Sequence, residues 1–383
     1  MRSLHLVAAI GCAAAVSLAA APQQPAAPSP QARDVSLTER DFLTRTRRLT
    51  VDGRRSGEGY FAPDGKRLVF QSERDPANPW YQIFTMDLTT GDVKRISPGI
   101  GKTTCSYFRP NSDEILFSST HLDPKSKQYQ DEELAFRASG KQRRYSWDYD
   151  PEMDIFALNE KTGAMKRLTT AKGYDAESAY SPDGQWIIFT SMRDAYNRTL
   201  NPTEKAAFEH DPSLFAEIYI MKADGTGQKR LTTEWGYDGG PFFTHDGSRI
   251  VWRHFDESGL LADIWTMKLD GTDQRQVTTF GSMSWSPFAH PSGEYFIFSS
   301  NKFGFENFEL FIVDTAGKKE PVRVTYTDGF DSLPVFSPDG TQLSWTSTRS
   351  GGGEGQIFIA QWNHEKAMEA LRDAPARKMS TRP

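Results

Sequence analysis

The sequence predicts an all-β fold, a six-bladed β-propeller with four antiparallel strands in each blade. Six copies of one motif support this prediction: an aromatic residue, a Pro-Asp-Gly-type turn and an apolar strand. Five of these copies are followed by another apolar strand, a glycine turn and an Arg-Leu-Thr-type strand. The 30 Gly, 22 Pro and 25 Phe residues favour strands and tight turns over helices. Four-stranded units that repeat around a ring are typical of propellers.

The spacing of the turns gives the length of a blade. The turn anchors are Pro63, Pro110, Pro182, His245, Pro291 and Pro338. The intervals between them are 47, 72, 63, 46 and 47 residues, so an ordinary blade takes 47 residues. Measured against this period, blade 2 carries 25 extra residues and blade 3 carries 16. Both inserts, at about 121–152 and 194–215, fall between the second and third strands of their blades.

The sixth unit contains only three strands, of which the last begins at Gln356. An Arg-Leu-Thr strand stands instead ahead of the first blade, in residues 43–50. We therefore predict that this N-terminal strand completes blade 6 and closes the ring, which removes the open edge of the sheet. The propeller is expected to span 42–364, with a short helix and a basic tail in 365–383.

The beginning of the chain predicts export. Residues 1–21 combine a basic start, a short apolar run and small residues, as in a secretory signal peptide. Residues 22–41 form a Pro/Ala/Gln-rich linker. We expect a periplasmic or envelope protein with no transmembrane span in the mature chain. Lipid attachment at Cys12 is the less favoured alternative, because the apolar run continues past it. Cys105 is then the remaining cysteine and is expected to be a small buried residue.

Composition and motifs exclude several classes of protein. The formal net charge of −5 does not predict a nucleic-acid-binding surface, and the low mean hydropathy excludes a polytopic membrane protein. The sequence contains neither the Gly-x-Ser-x-Gly motif of serine hydrolases nor the His-Glu-x-x-His motif of zinc peptidases. No catalytic residue and no cofactor are therefore predicted.

Blade 3 carries the fullest form of the repeat, with Ser-Pro-Asp-Gly at 181–184, Arg193 after strand two, Ile-Tyr-Ile-Met at 218–221 and Arg-Leu-Thr at 230–232. These motifs resemble the TolB-like, or WD40-like PD40, propeller family over about 43–364. The resemblance implies a six-bladed propeller, but it does not extend to the α/β domain that precedes the propeller in the family's Tol translocation protein. Related propellers also stand beside peptidases, and relatives that act as lyases or lactonases hold a divalent metal at the channel mouth.

Carboxylates recur at the predicted channel mouth, where the first strand of each blade begins. Seven positions before the anchors stand Asp175, Asp238 and Asp331, while Glu58 and Glu177 lie two residues further along their strands. Such a ring can bind a calcium-type divalent cation, or the amine or guanidinium of a ligand. In the alternative interpretation, each Asp accepts backbone hydrogen bonds or pairs with an arginine of its own blade. Those arginines are Arg74, Arg193 and Arg349.

Both inserts are expected to rise from the same face as the channel mouth, where they form a binding surface. The candidate partner-binding residues are Arg143, Arg144, Tyr145, Trp147, Tyr149 and Tyr196. In the alternative, the aromatic residues pack the inserts onto their blades. Within the blade 3 insert, Asn201 as N-cap and Pro202 in the first turn predict a helix through about His210.

These features predict a monomeric, non-catalytic scaffold that binds an envelope protein or peptide. A peptidase and a Tol-type system are the examples of such partners. Two other functions stay open. One is a metal-dependent enzyme of the lyase or lactonase type at the channel mouth. The other is an accessory propeller of a separately encoded peptidase.

Overall fold

The computed structural model describes residues 37–141 and 148–377. In this part of the chain, 24 strands form six sheets of four antiparallel strands. The innermost strand of each sheet contacts that of the next, and the sixth contacts the first, so the sheets form a ring. The predicted six-bladed propeller is confirmed.

The first strand, β1 (Leu43–Arg48), belongs to blade 6. Blade 1 contains β2 (Arg55–Phe61), β3 (Arg67–Glu73), β4 (Gln82–Asp87) and β5 (Val93–Arg95). Blade 2 contains β6 (Thr103–Phe108), β7 (Glu114–Ser119), β8 (Asp154–Asn159) and β9 (Met165–Arg167). Blade 3 contains β10 (Asp175–Tyr180), β11 (Trp186–Ser191), β12 (Glu217–Lys222) and β13 (Lys229–Arg230).

The remaining three blades follow the same order. Blade 4 contains β14 (Asp238–Phe243), β15 (Arg249–Phe255), β16 (Ala262–Lys268) and β17 (Arg275–Gln276). Blade 5 contains β18 (Ser284–Ala289), β19 (Tyr295–Ser300), β20 (Glu309–Asp314) and β21 (Val322–Arg323). Blade 6 contains β22 (Asp331–Phe336), β23 (Gln342–Ser347) and β24 (Gln356–Trp362), followed in space by β1.

The helices lie outside the sheets. They are α1 (Glu39–Phe42), α2 (Ser126–Ala138), α3 (Arg193–Asn197), α4 (Pro202–His210), a 3₁₀ helix (Pro212–Phe215) and α5 (His364–Asp373). The prediction for α4 is confirmed: Asn201 Oδ1 accepts a hydrogen bond from the Glu204 N–H at 2.9 Å, and Pro202 begins the helix. Among the residues described, no helix combines the length and the apolar character needed to cross a membrane.

The ring is closed by the N-terminal strand. β1 pairs antiparallel with β24, with Leu43 opposite Trp362 and Arg48 opposite Phe358. Just before β1, Phe42 is fully buried and its ring stacks on Trp362, with the centroids 5.9 Å apart. The prediction that this strand completes blade 6 is confirmed.

The Arg-Leu-Thr motif fixes the outer strand to the third strand of its blade. In blade 3, Thr232 Oγ1 accepts a hydrogen bond from the Ile218 N–H at 2.9 Å and donates one to Glu217 Oε2 at 2.6 Å. Arg230 pairs with the same carboxylate and donates from Nε to the Thr232 carbonyl at 2.7 Å. This motif, which we call the outer-strand clamp, thus satisfies buried polar groups on both strands.

Blade 6 uses the same clamp, although its outer strand comes from the other end of the chain. Thr50 Oγ1 accepts a hydrogen bond from the Ile357 N–H at 2.9 Å and donates one to Gln356 Oε1 at 2.7 Å. Thr50 is 1% exposed, so water cannot replace these bonds. Two buried hydrogen bonds between residues about 300 positions apart therefore add to the β1–β24 pairing that closes the ring.

The substitution Thr50→Val tests this closure. Valine keeps the shape of threonine but leaves the Ile357 N–H and the Gln356 Oε1 atom without their threonine partner. The free energy of unfolding is expected to fall by about 1–3 kcal/mol, measured by urea denaturation. Thr232→Val, which removes the same bonds within blade 3, is the matched control and should lose a similar amount. If Thr232→Val lowered the free energy of unfolding and Thr50→Val did not, the outer-strand clamp would not contribute to closing the ring.

Candidate ligand-binding site

The innermost strand of every blade is interrupted at the same point by a β-bulge. Five residues before each turn anchor, the backbone becomes left-handed, with φ between 50° and 56°, and the pairing with the next strand shifts by one residue. The six bulge residues are Glu58, Cys105, Glu177, Gly240, Ser286 and Leu333. This backbone costs a non-glycine residue about 1–3 kcal/mol, and such strain clusters at binding sites.

All six bulge residues line one cavity of about 820 Å³ in the channel, which we call the channel pocket. Its floor is aromatic. The Tyr60 ring lies 5.4 Å from that of Tyr107 and 5.7 Å from that of Phe242, measured between centroids. Tyr60 belongs to blade 1 and Phe242 to blade 4, which stand opposite each other in a six-membered ring. Because these rings meet across the axis, they close the channel at this depth.

The rim of the channel pocket comes from connections between second and third strands. Residues 210–214, where α4 leads into the 3₁₀ helix, bring the blade 3 insert over the pocket. Tyr149, from the end of the blade 2 insert, and residues 353–355 of blade 6 also line it. The pocket and both inserts therefore share one face of the propeller.

The Glu58 carboxyl is enclosed in this pocket and incompletely partnered. Its Oε1 lies 4.0 Å from Cys105 Sγ, and its Oε2 has no hydrogen-bond partner among the described residues. Burial, reinforced by the negative charge of Glu177, raises the pKa of Glu58 from 4.5 to about 7, while Arg253 acts in the opposite direction. This carboxyl therefore changes its charge near neutral pH.

Glu177, the other bulge carboxylate, is fully partnered. Tyr237 Oη donates a hydrogen bond to Glu177 Oε1 at 2.5 Å, and the Gly240 N–H donates one to Oε2 at 2.5 Å. Arg253 Nη2 contacts the two oxygens at 3.1 and 3.2 Å. A Cβ on Gly240 would stand 2.0 Å from Arg253 Nη1, so glycine at this bulge makes room for the guanidinium. The result is a buried ion pair with hydrogen bonds on both carboxylate oxygens.

Five more buried polar atoms on residues that line the channel pocket have no hydrogen-bond partner within the described part of the chain. They are Ser106 Oγ, Ser178 Oγ, Arg253 Nε, Trp285 Nε1 and Ser286 Oγ. Leaving such a group unpaired costs about 1–3 kcal/mol, and buried polar groups are therefore rarely unpaired. Several such atoms in one concave pocket with an aromatic floor are characteristic of a ligand-binding site.

The three predicted aspartates do not line this pocket. Asp175, Asp238 and Asp331 are at most 1% exposed and lie within their own blades. Asp175 pairs with Arg193 at 2.5 Å and Asp331 with Arg349 at 2.6 Å, as in the alternative interpretation. These carboxylates therefore fix the loop after the second strand to the first strand.

Asp238 has a similar role with other partners. Trp252 Nε1 donates a hydrogen bond to Asp238 Oδ1 at 2.8 Å, and His254 Nδ1 lies 2.8 Å from the same oxygen. The bulge explains why the aspartates miss the channel. It inserts one residue into the first strand, so positions seven and three residues before the anchor point to opposite faces. Glu58 and Glu177, at the bulge itself, are the predicted carboxylates that the structure brings together.

The predicted insert residues separate into three groups. Arg143, Arg144, Tyr145 and Trp147 lie outside the described residues. Tyr149 packs against Tyr174 and Tyr237, with centroids 5.4 and 5.7 Å away, and lines the pocket. Tyr196 packs edge-on against Phe208 at 5.2 Å and so holds α4 against α3. Tyr149 thus belongs to the candidate site, whereas Tyr196 packs the insert.

Sequence reasoning did not identify Cys105, Tyr237 or Arg253 as site residues. Cys105 is buried, as expected, but it also faces Glu58 at the next bulge position. Glu58 and Glu177 both stand five residues before their turn anchors. Applying this spacing to all six anchors would have identified every bulge residue of the channel. In residues 37–141 and 148–377, no group of three or more His, Cys, Asp and Glu side chains is arranged to hold a metal ion.

Comparison with known sequences finds partial relatives. No family model matches the chain. The Tol-Pal system protein TolB of Wolinella succinogenes is 23% identical over 227 residues, 58% of this chain and 48% of that protein. The uncharacterised peptidase YuxL of Bacillus subtilis is 26% identical over 183 residues, 44% of this chain and 24% of that protein. The chain thus spans at most about half the length of the curated relatives it matches.

Solved structures identify the fold. A protein described as a TolB from Agrobacterium tumefaciens matches with a TM-score of 0.55 and 17% identity, over 83% of this chain and 93% of that one. The chain has the TolB-like six-bladed propeller fold. An oligogalacturonate lyase from Vibrio parahaemolyticus matches this TolB-like propeller with a TM-score of 0.51 and 13% identity, over 84% and 94% of the two chains. A gluconolactonase from Xanthomonas campestris matches with a TM-score of 0.53 and 14% identity, over 84% and 91%.

The substitution Glu58→Gln tests the environment of the pocket carboxyl. The folded protein holds this proton up to about pH 7, whereas the unfolded chain releases it near pH 4.5, so wild-type stability falls as the pH rises between these values. An amide has no proton to lose. The variant is therefore expected to match the wild type near pH 4.5 and to exceed its free energy of unfolding by about 1–3 kcal/mol at about pH 8.

Glu177→Gln is the matched control for this measurement. It leaves Arg253 buried beside an uncharged group, so stability at about pH 8 should fall by about 3–5 kcal/mol. Urea unfolding of both variants at the two pH values gives the comparison. Equal stability of Glu58→Gln and wild type at the higher pH would contradict an enclosed, unpaired Glu58 carboxyl.

Proposed function

We propose that this TolB-like propeller is exported to the periplasm or cell envelope, where it acts as a non-catalytic module that binds a peptide segment of another protein. The channel pocket is the observation that carries the proposal. Its volume of about 820 Å³ lies within the range of sites that enclose a ligand, about 300–1,000 Å³. It combines an aromatic floor with unpartnered donors and hydroxyls.

A peptide suits this combination of groups. Each peptide unit carries one N–H donor and one carbonyl acceptor, which match hydroxyls such as those of Ser106 and Ser178 and the indole N–H of Trp285. Apolar and aromatic side chains of the peptide would pack on the floor. The blade 3 insert, at 210–214, stands over the entrance and supplies further contacts to the chain as it leaves the pocket.

The sequence features and the relatives support a protein partner in the envelope. The signal-peptide pattern of 1–21 favours export. The relatives include a Tol-Pal system protein and a peptidase. A Tol-type assembly or a separately encoded peptidase is therefore the kind of partner we propose, and the second of these is the accessory-propeller alternative.

Enzymatic activity at the same site is the second candidate function. Glu58, with a pKa near 7, has the property of a general acid or base, and the fold is shared with a lyase and a lactonase. The metal-dependent form of this function, with a calcium-type ion, would use Glu58 and Glu177. Glu177 already accepts hydrogen bonds on both oxygens, whereas calcium takes about six to eight oxygen ligands. We therefore favour the binding function.

Selection from a displayed random heptapeptide library tests the proposed function. The selected peptides are synthesised and their affinities measured by calorimetry against two Leu→Trp variants. Leu333→Trp fills the pocket at a bulge position, and Leu122→Trp, the matched control, adds the same side chain at a 54% exposed site on the blade 2 insert. Loss of at least about tenfold in affinity with Leu333→Trp alone is expected.

Other results would contradict the proposal in different ways. A library from which no peptide is enriched would argue against peptide binding and favour the enzymatic alternative. Peptides that bind Leu333→Trp as well as the wild type, and are weakened by Leu122→Trp, would move the binding site from the channel to the surface of the inserts.

A further inference from the structure

The propeller already contains one example of cation recognition in its channel. Glu177, at the bulge of blade 3, pairs with the guanidinium of Arg253, which extends from the second strand of the next blade. That guanidinium lies 4.9 Å from the centroid of the Tyr237 ring and 5.6 Å from that of Trp285. The Arg253 cation is therefore bound by a carboxylate at a bulge and by two aromatic rings.

Glu58, at the bulge of blade 1, has no corresponding cation among the described residues. The residue of blade 2 that corresponds to Arg253 is Ser118, since both stand eight residues after their turn anchors and pair with equivalent residues of the first strand. The Ser118 hydroxyl also has no hydrogen-bond partner within the described residues. Lys102, which directly precedes the first strand of that blade, is bound to Asp150 at 2.7 Å. Within residues 37–141 and 148–377, the chain thus supplies no cation to Glu58 in the position from which Arg253 reaches Glu177.

The surroundings of Glu58 suit a cation from outside the chain. Five acidic residues line the channel pocket, against two arginines and one histidine. Both arginines have carboxylate partners, Arg55 with Glu73 and Arg253 with Glu177. The pocket is therefore negatively charged overall when Glu58 is ionised, and a negative cleft raises the local concentration of cations.

We propose that the channel pocket recognises a basic side chain of the bound peptide, a lysine or an arginine, whose charge pairs with the Glu58 carboxylate. The inference rests on the proposed peptide-binding function and adds to it the chemistry of the residue that enters the pocket. The ammonium or guanidinium group lies between Glu58 and the aromatic rings, as Arg253 does beside Glu177. Cation–π contacts then add to the ion pair.

Binding of this cation depends on pH. The groups that face Glu58 are Tyr60 on its own strand, Cys105 on β6, Glu177 on β10 and Arg253 on β15. Burial raises the pKa of Glu58 to about 7, and it raises the pKa values of Tyr60 and Cys105 well above their usual values. A cation pairs with the ionised carboxylate, so binding releases the proton. Affinity should therefore rise with pH by up to about tenfold per unit below pH 7 and level off above it.

A double-mutant cycle on one peptide tests the proposal. The probe is the tightest heptapeptide from the library selection, with a second version in which its lysine or arginine is replaced by norleucine. Calorimetry at about pH 8 compares the two peptides on wild type and on Glu58→Gln. We expect each single change to weaken binding by at least about tenfold, and the norleucine peptide to bind both proteins equally. Glu58→Gln is expected to fold, because it removes an unpaired buried charge.

Glu369→Gln is the matched control, because it removes the same charge on α5, outside the channel pocket, where Glu369 is paired with Lys366 at 3.0 Å. It should change the affinity by less than about twofold. Failure of the proposed function would be seen already in the library selection. Either no peptide would be selected, or Leu333→Trp would not weaken the binding of the selected peptides. The inference alone is overturned if peptides bind in the pocket without a basic residue, or if Glu58→Gln leaves both the affinity for the basic peptide and its pH dependence unchanged.

Discussion

The β-bulge in the innermost strand of each blade decides what the channel of this propeller contains. A left-handed residue there shifts the strand pairing, turns its own side chain into the channel and directs the residue two positions later into the aromatic floor. Asp175 and Asp331, two residues before their bulges, point into their blades and pair there with arginines. The channel pocket, its floor and the burial of the aspartates therefore follow from one backbone feature repeated six times.

The repeated backbone carries different side chains, and the function that we propose depends on this asymmetry. A symmetrical ring of six identical residues would have offered the same environment in every direction. Here Glu177 pairs with Arg253, whereas Glu58 has no corresponding partner in the described part of the chain, and burial raises its pKa to about 7. The strain of the bulges and the unpaired Glu58 both lower stability, and proteins commonly retain such features where a ligand binds.

Much of the fold could be predicted because it depends on local signals that repeat. The turn anchors predicted the number of blades. The Arg-Leu-Thr motif predicted which strand closes the ring, because Thr50 accepts the same hydrogen bond in blade 6 as Thr232 does in blade 3. The helix α4 follows from the capping by Asn201. The site was harder to predict, because side chains along a strand stop alternating between its two faces at a bulge. The residues next to Glu58 in the sequence also give no sign of its left-handed backbone. Arg253 was missed because it reaches the pocket from the second strand of another blade.

A crystal structure of the protein with a selected heptapeptide is the most direct test of the central claim, that the bulge ring forms the ligand site. We expect a basic side chain in the channel pocket, with its nitrogen within about 4 Å of the Glu58 carboxylate and the peptide leaving beneath residues 210–214. A peptide bound to the outer surface of the inserts, with none of its atoms in the channel pocket, would contradict it.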